Sequence, residues 1–256
     1  MLLEHLHRPL AIEEKVGRRA DLVTVADRAS ERTIVERLRK DFPGAGILGE
    51  EGGVYEPLRV AQDDEGVERW IIDPLDGTTN YAHGYPLFCI SIAYERDGEV
   101  LAGVIYAPLM NELFTAQRGG GALRNGEPVR VSEIPSLAEA MVVTGFKPYD
   151  YETNAPYFAK ASHIAQAVRR DGSAALDLAY TAMGRFDGFW EFDLAPWDMA
   201  AGMLLVREAG GAVTATDGSP FALTGRSILA SNGRIHEELR SMFIPSTGSG
   251  SFDTSG

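Results

Sequence analysis

A single cysteine, Cys89, stands among the 256 residues of the chain. That excludes an intrachain disulfide framework and any zinc site built from several thiolates. Long apolar runs are missing as well: none approaches the ~18 residues of a membrane span. Cations are scarce, with 24 Lys plus Arg against 37 Asp plus Glu and a formal charge of −13. A general nucleic-acid binder needs clustered Lys and Arg to meet phosphates, so this balance argues against nucleic acid as a partner. The start, Met1-Leu2-Leu3-Glu4-His5, lacks signal-peptide architecture, and a cytoplasmic protein is expected. Walker A, His-Glu-x-x-His and Gly-x-Ser-x-Gly patterns are all absent. The remaining composition, 45% hydrophobic and 24% charged, is that of a globular chain able to bury a core without staples.

Patterning predicts mixed helices and strands. Residues 27–41 carry Ala29, Ile34, Val35 and Leu38 near helical spacing, ended by Pro43-Gly44. Arg69 to Asp73 reads as a buried strand ending at Asp73-Pro74. Phe88–Tyr94 and Val100–Tyr106 read as strands joined at Asp97-Gly98, with Glu112–Ala116 as a further strand and Asn125-Gly126 as a turn. In the second half, strands are expected at 141–144, 188–192, 212–215 and 227–230. Helices are expected at 154–167, 173–184 and 198–209, the last closed by Gly210-Gly211. Early hairpins followed by alternating elements imply a layered α/β or α+β sandwich. The Gly/Ser-rich tail 245–256 reads as disordered.

The acidic residues carry the chemical signal. In Trp70-Ile-Ile-Asp-Pro-Leu-Asp-Gly-Thr-Thr-Asn80, a hydrophobic strand delivers Asp73 and Asp76 where it ends. Pro74 stiffens the turn, Gly77 permits tight backbone geometry, and Thr78 and Thr79 fall where a helix could begin. Two carboxylates this close repel unless a cation lies between them, and oxygen ligands suit Mg²⁺. An acidic turn capping a helix is the bland alternative. Glu50 and Glu51 follow an apolar stretch and are flanked by glycines, which also fits a solvated loop. Asp193 and Asp198 are interleaved with Trp190, Phe192 and Trp197; Asp198 could simply be the N-cap of a helix starting at Met199. Thr24-x-x-Asp27 matches a capping box, which does not exclude a second job for Asp27. Gly119-Gly120-Gly121 could cradle an anion or form a plain turn. His83 could touch a substrate or be incidental, and Cys89 reads as an inert core thiol. Asp171-Gly172-Ser173-Ala174 opens a helix whose N–H groups could bind an anion or merely be capped.

Taken together, Asp21-Leu-Val-Thr-Val-Ala-Asp27, Gly49-Glu50-Glu51, the 70–80 stretch and Trp197-Asp198 with the run to Gly211 resemble the inositol monophosphatase family. Four motifs in the right order, spanning about residues 15–240, carry that resemblance. It implies a layered αβαβα sandwich of the inositol monophosphatase and fructose-1,6-bisphosphatase type. One phosphatase domain would occupy residues 1–244, in two halves of about 1–140 and 141–244 with the site between them. The resemblance also implies Mg²⁺ (two or three ions per site), Li⁺ sensitivity and a homodimer. Glu50, Asp73, Asp76 and Asp198 would be the metal carboxylates, with the Leu75 carbonyl as a further ligand. Thr78, hydrogen-bonded to Asp27, would orient or deprotonate the attacking water, and Glu50 belongs to the catalytic set. Gly77 and Thr78 would donate to phosphate, Glu191 would bind substrate hydroxyls, Asp198 would also contact the substrate, and Gly172, Ser173 and Ala174 would line the pocket.

The chemistry agrees with that assignment. A phosphate monoester repels an anionic nucleophile, and paired divalent ions neutralise it, activate water and stabilise the leaving group. The expected reaction is Mg²⁺-dependent, Li⁺-sensitive hydrolysis of a small phosphomonoester, a phosphorylated polyol or sugar, without a covalent intermediate. Inositol monophosphate is the first choice, since Phe189-Trp190-Glu191-Phe192 suits a polyhydroxylated ring as an aromatic and acidic wall. Fructose 1,6-bisphosphate, histidinol phosphate and 3′-phosphoadenosine 5′-phosphate are the alternative substrates. A regulatory protein associated with RNA polymerase or RNA, on the same scaffold, is the alternative outside enzymology. Two departures from the family stand out. Only about 20 residues precede the Asp21 stretch, and Lys15, the nearest candidate for a family lysine, is not cleanly spaced from Leu22.

Overall fold

Two mixed sheets enclose a pair of helices that are buried on every side. The computed structural model describes residues 2–6, 12–14, 22–57, 67–146 and 151–244. Lys15, Asp21 and the tail 245–256 lie outside them. The first part of the chain runs α1 (Leu2–His5), β1 (Ile12–Glu14), β2 (Leu22–Thr24), α2 (Val25–Asp41), β3 (Gly46–Gly49), β4 (Gly53–Tyr55), β5 (Glu68–Asp76) and α3 (Thr78–Ala82). Next come β6 (Cys89–Arg96), β7 (Glu99–Ala107), β8 (Glu112–Gln117), β9 (Gly121–Arg124), β10 (Glu127–Pro128) and β11 (Met141–Thr144). The rest is α4 (Tyr151–Ile164), β12 (Ala167–Arg169), α5 (Ala174–Ala182), β13 (Gly188–Phe192), α6 (Pro196–Glu208), β14 (Ala212–Thr214), β15 (Ser227–Ser231) and α7 (His236–Arg240). Among these elements none is a helix long and apolar enough to cross a membrane.

The larger sheet has the order β10-β9-β8-β7-β6-β5-β3-β4, and the smaller β12-β11-β13-β15-β14. Both are mixed: β3 runs parallel to β5, and β11 runs parallel to β12 and β13, while the other pairs are antiparallel. Helices α5 and α6 pack against each other and touch both sheets. Helix α2 lies on β5, and α4 and α7 lie against the smaller sheet. The layers are therefore α2, large sheet, α5 with α6, small sheet, and α4 with α7, which is the expected αβαβα sandwich. Every residue of α5 is buried, as is α6 from Met199 to Val206. A helix pressed between two sheets has no solvent face, which is why both are rich in Ala and Leu. Small residues bring the layers close. A Cβ at Gly103 on β7 would lie 2.9 Å from Ala201 Cα, and one at Gly202 would lie 2.5 Å from Leu178 Cβ.

Two local expectations need correction. The strand read as ending at Asp73-Pro74 continues to Asp76. Its register with β6 jumps between Asp73↔Ser91 and Asp76↔Cys89, a bulge that accommodates a proline unable to donate to the ladder. The helix read as 154–167 stops at Ile164. Ala167–Arg169 instead pairs in parallel with β11, so sheet formation overrides the local helical spacing.

Leu178 is fully buried where α5 crosses α6. Leu178→Ala should destabilise the fold by about 2–5 kcal/mol, the cost of a poorly collapsing core cavity. Chemical denaturation would check this, and a loss below about 1 kcal/mol would mean that the two sheets do not depend on that contact.

Candidate functional site

The C-terminal end of β5 and the starts of four helices, α2, α3, α5 and α6, meet at one place. The bulge at Pro74 turns Asp73 inward, where it is 1% exposed. Asp73 Oδ1 accepts the Leu75 N–H at 2.9 Å, and the Pro74 carbonyl accepts Ser30 Oγ of α2 at 2.9 Å. Gly77 then adopts φ 89°, and a Cβ there would lie 2.9 Å from the Leu87 carbonyl oxygen, so only glycine makes this turn into α3. Thr78 opens α3, as the sequence indicated. Its Oγ1 lies 3.0 Å from Asp27 Oδ1 and 3.1 Å from the Leu75 carbonyl oxygen, either of which can accept its proton. Asp27 is wholly buried in the first turn of α2.

Asp76 is held from the opposite half of the chain. Its Oδ2 accepts Ser173 Oγ at 2.7 Å and the Ala175 N–H at 2.8 Å. Ser173 is the residue before α5, yet its hydroxyl serves Asp76 rather than capping its own helix. Asn80 ties the same regions together, donating to the Leu87 carbonyl at 2.6 Å and the Asp171 carbonyl at 2.8 Å. Gly172, at φ 82°, packs beside Asn80. Asp198 is not the N-cap of a helix starting at Met199. It is the third residue of α6, and its Oδ2 folds back to accept the Ala195 N–H at 2.8 Å. Glu50 lies in the turn between β3 and β4, its N–H bonded to the Ile72 carbonyl of β5.

The electrostatics bind these acids into one group. Burial raises the Asp73 carboxyl well above the ordinary carboxylate range, and the charges of Glu50, Asp76 and Asp198 raise it further. Burial pushes Asp76 up to about 6 despite the hydrogen bonds from Ser173 and Ala175 that favour its charged form. Among the described residues, no group of three or more Asp, Glu, His or Cys side chains already stands together as a metal-holding set. The four carboxylates and the Leu75 carbonyl are hard oxygen donors gathered at one end of β5. Their mutual repulsion is the kind that a divalent cation offsets, with water and substrate oxygens completing its shell.

Other sequence candidates fall differently. Glu191 is buried on β13, and a Cβ on Gly145 would run into its carboxylate. Its neighbours do not form an aromatic wall: Phe189 and Trp190 are both wholly buried, in the two separate cores. Trp190 donates its indole N–H to Asn154 at 2.6 Å. The Gly119–Gly121 turn does cradle an anion, the Glu208 carboxylate, through the N–H groups of Gly119 and Gly121 at 2.8 and 2.9 Å. Cys89 is fully buried 3.6 Å from Ser173 Oγ, and burial keeps its thiol neutral. His83 is exposed at the end of α3. Sequence reasoning missed Asp177, one turn beyond Ser173 on α5. It is buried with both carboxyl oxygens lacking a hydrogen-bond partner, and burial raises its carboxyl well above the usual range. The available signal was an acid inside the otherwise apolar run Ala-Ala-Leu-Asp-Leu-Ala.

The layered sandwich of two mixed sheets defines the inositol monophosphatase and fructose-1,6-bisphosphatase class of fold. The chain belongs to the inositol monophosphatase family, which it matches over residues 1–246. It is 47% identical over 233 residues to the inositol-1-monophosphatase of Rhizobium meliloti (strain 1021), covering 89% of this chain and 85% of that protein. It is 44% identical over 242 residues to the Nus factor SuhB of Pseudomonas aeruginosa, covering 92% and 87%. The crystal structure of extragenic suppressor protein suhB from Bartonella henselae superposes with a TM-score of 0.88 at 41% identity, over 96% of this chain and 93% of that one. An IMPase/NADP phosphatase structure complexed with Mg²⁺ and phosphate superposes with a TM-score of 0.82 at 25% identity, over 96% and 91%.

Without divalent cation, Asp76 holds its proton more tightly in the folded than in the unfolded chain. The stability this contributes is complete below the ordinary carboxylate pKa and is lost as pH rises through about 6. Denaturation in chelator should therefore show wild type losing stability relative to Asp76→Asn between about pH 4 and about pH 6. Parallel pH profiles for the two proteins would contradict the site's electrostatics.

Proposed function

We propose that the protein is a Mg²⁺-dependent hydrolase of small phosphomonoesters, with inositol monophosphate as its first substrate. The hydrogen bond between Thr78 and the buried Asp27, at the edge of a cluster of four carboxylates, carries this reading. Mere ion binding requires no such dyad.

Glu50, Asp73, Asp76, Asp198 and the Leu75 carbonyl are the groups that would hold Mg²⁺. When bound, the ions would neutralise the phosphate and stabilise the departing alkoxide. Thr78 Oγ1, with its proton directed to Asp27 Oδ1, keeps lone pairs to accept a proton from the attacking water. Asp27 then takes the threonine proton, so neither group needs an unusual charge of its own. The main-chain N–H groups of Gly77 and Thr78 would orient the phosphate. Glu191 would accept hydrogen bonds from substrate hydroxyls, with Gly172, Ser173 and Ala174 forming the neighbouring wall. Li⁺ sensitivity and a homodimer belong to the same reading.

Phosphate release should require Mg²⁺, fall on adding Li⁺, and be led by inositol 1-phosphate in a panel with fructose 1,6-bisphosphate, histidinol phosphate and 3′-phosphoadenosine 5′-phosphate. Thr78→Ala should lower kcat by about 10²–10⁴-fold, the range of a lost proton-transfer group. Release led by another ester would replace the substrate. A Thr78→Ala variant with unchanged turnover would end the proposed water activation. A second reading rests on the relative named Nus factor SuhB: a role in transcription through a protein partner. Capture of RNA polymerase by wild type and Asp76→Asn alike, without phosphatase turnover, would favour that reading instead.

A further inference from the structure

Helix α2 presents two carboxylates one turn apart on its buried face, Asp27 and Glu31, exposed 0% and 3%. Residues four apart lie on the same side of a helix. Asp27 reaches Thr78. Glu31 reaches the turn that carries Glu50: its Oε2 accepts the Glu51 N–H at 2.9 Å, and its Oε1 accepts the Tyr55 hydroxyl at 2.8 Å. These bonds grip the β3–β4 turn at both ends, one directly after Glu50 and one on the strand leaving it.

The glycines around Glu50 follow from this grip. A Cβ at Gly49 would lie 2.6 Å from Glu31 Oε2, and one at Gly52 would overlap the Tyr55 hydroxyl and lie 2.6 Å from Glu31 Oε1. Both positions must be bare for the carboxylate and phenol to approach. Tyr55 is well suited as donor, since burial and Glu31 push its hydroxyl up to about 12 and it keeps its proton. Arg39, also on α2, lies over the Tyr55 ring with its guanidinium carbon 5.2 Å from the centroid. The turn is thus fastened to α2 by Glu31, by Tyr55 and by Arg39.

We propose that Glu31 is a positioning residue for the metal site, holding the Glu50 turn where the Glu50 carboxylate can serve as a cation ligand. This rests on the metal reading proposed above. Helix α2 then sets two separate parts of the site at once, the Thr78 hydroxyl through Asp27 and the Glu50 turn through Glu31. A loosened turn must be ordered again whenever a cation binds, so the loss appears in metal affinity before it appears in substrate binding.

The test is a Mg²⁺ titration followed by melting temperature, without substrate, on wild type, Glu31→Ala, Glu31→Gln, Tyr55→Phe and Glu50→Gln. Glu31→Ala should raise the half-maximal Mg²⁺ concentration by about tenfold, the scale of a hydrogen bond to a charged group. Glu31→Gln should recover most of that shift, because its amide can accept from Glu51 and donate to Tyr55. Tyr55→Phe should shift the midpoint by about threefold, a part of the same effect, and it carries the test if Glu31→Ala does not fold. At saturating Mg²⁺ the KM for inositol 1-phosphate should stay near the wild-type value in Glu31→Ala. A Mg²⁺ midpoint within twofold of wild type in the folded Glu31→Ala, or in Tyr55→Phe where Glu31→Ala does not fold, overturns this inference alone. A wild-type protein that gains no stability from Mg²⁺, and matches Glu50→Gln, overturns the metal reading and this inference with it.

Discussion

Repulsion among carboxylates gathered at the end of β5 is the constraint on which the rest of the structure turns. Asp73 is buried where the charges of Glu50, Asp76 and Asp198 all oppose its ionisation. Unpaired buried charge is among the costliest things a fold can contain. The chain answers with fixed donors at three of the acids: the Leu75 N–H for Asp73, Ser173 and Ala175 for Asp76, and the Ala195 N–H for Asp198. These bonds orient the oxygens without removing the net charge, leaving the cluster suited to a cation.

That requirement accounts for much of the architecture around it. The donors for Asp76 come from the start of α5, and Asp198 lies in the first turn of α6, so both helices must begin at the same place. Two helices starting together between two sheets can have no solvent face, and their Ala, Leu and Gly content follows. The proline bulge in β5 belongs to the same logic, since it places Asp73 and Asp76 on either side of a kink. On the other side of the large sheet, α2 supplies Asp27 and Ser30, each bonded to the 74–78 segment.

The parts of this arrangement legible in the sequence were the local ones. Asp73, Pro74, Asp76, Gly77 and Thr78 are contiguous, and their geometry follows from strand, bulge, left-handed glycine and helix start in succession. Strands such as β6 and β8 were legible because their burial alternates, and α2 because its apolar residues fall at helical spacing, whereas α6, buried on every side, was legible as an Ala- and Leu-rich run closed by glycines. What stayed hidden depends on partners far along the chain. Ser173 lies 97 residues from Asp76, and Asn80 lies 91 from Asp171, so neither spacing announces a bond. The expected aromatic wall failed because Phe189 and Trp190, adjacent on a strand, point into opposite cores and neither faces a substrate. Asp177 could be noticed only as an acid out of place in an apolar helix, with nothing local to say what surrounds it. The extension of β5 past Pro74 required knowing that β6 would tolerate a register jump.

A divalent cation that relieves the repulsion at this site must displace protons from it. The direct measurement is calorimetric titration of the protein with Mg²⁺ at about pH 6, where the Asp76 carboxyl is half protonated, in two buffers of different ionisation heat. The difference between the two heats counts the protons released on binding. Saturable binding with net proton release, reduced in Asp76→Asn, is the expected result. Binding without proton release, or no binding at all, would contradict it.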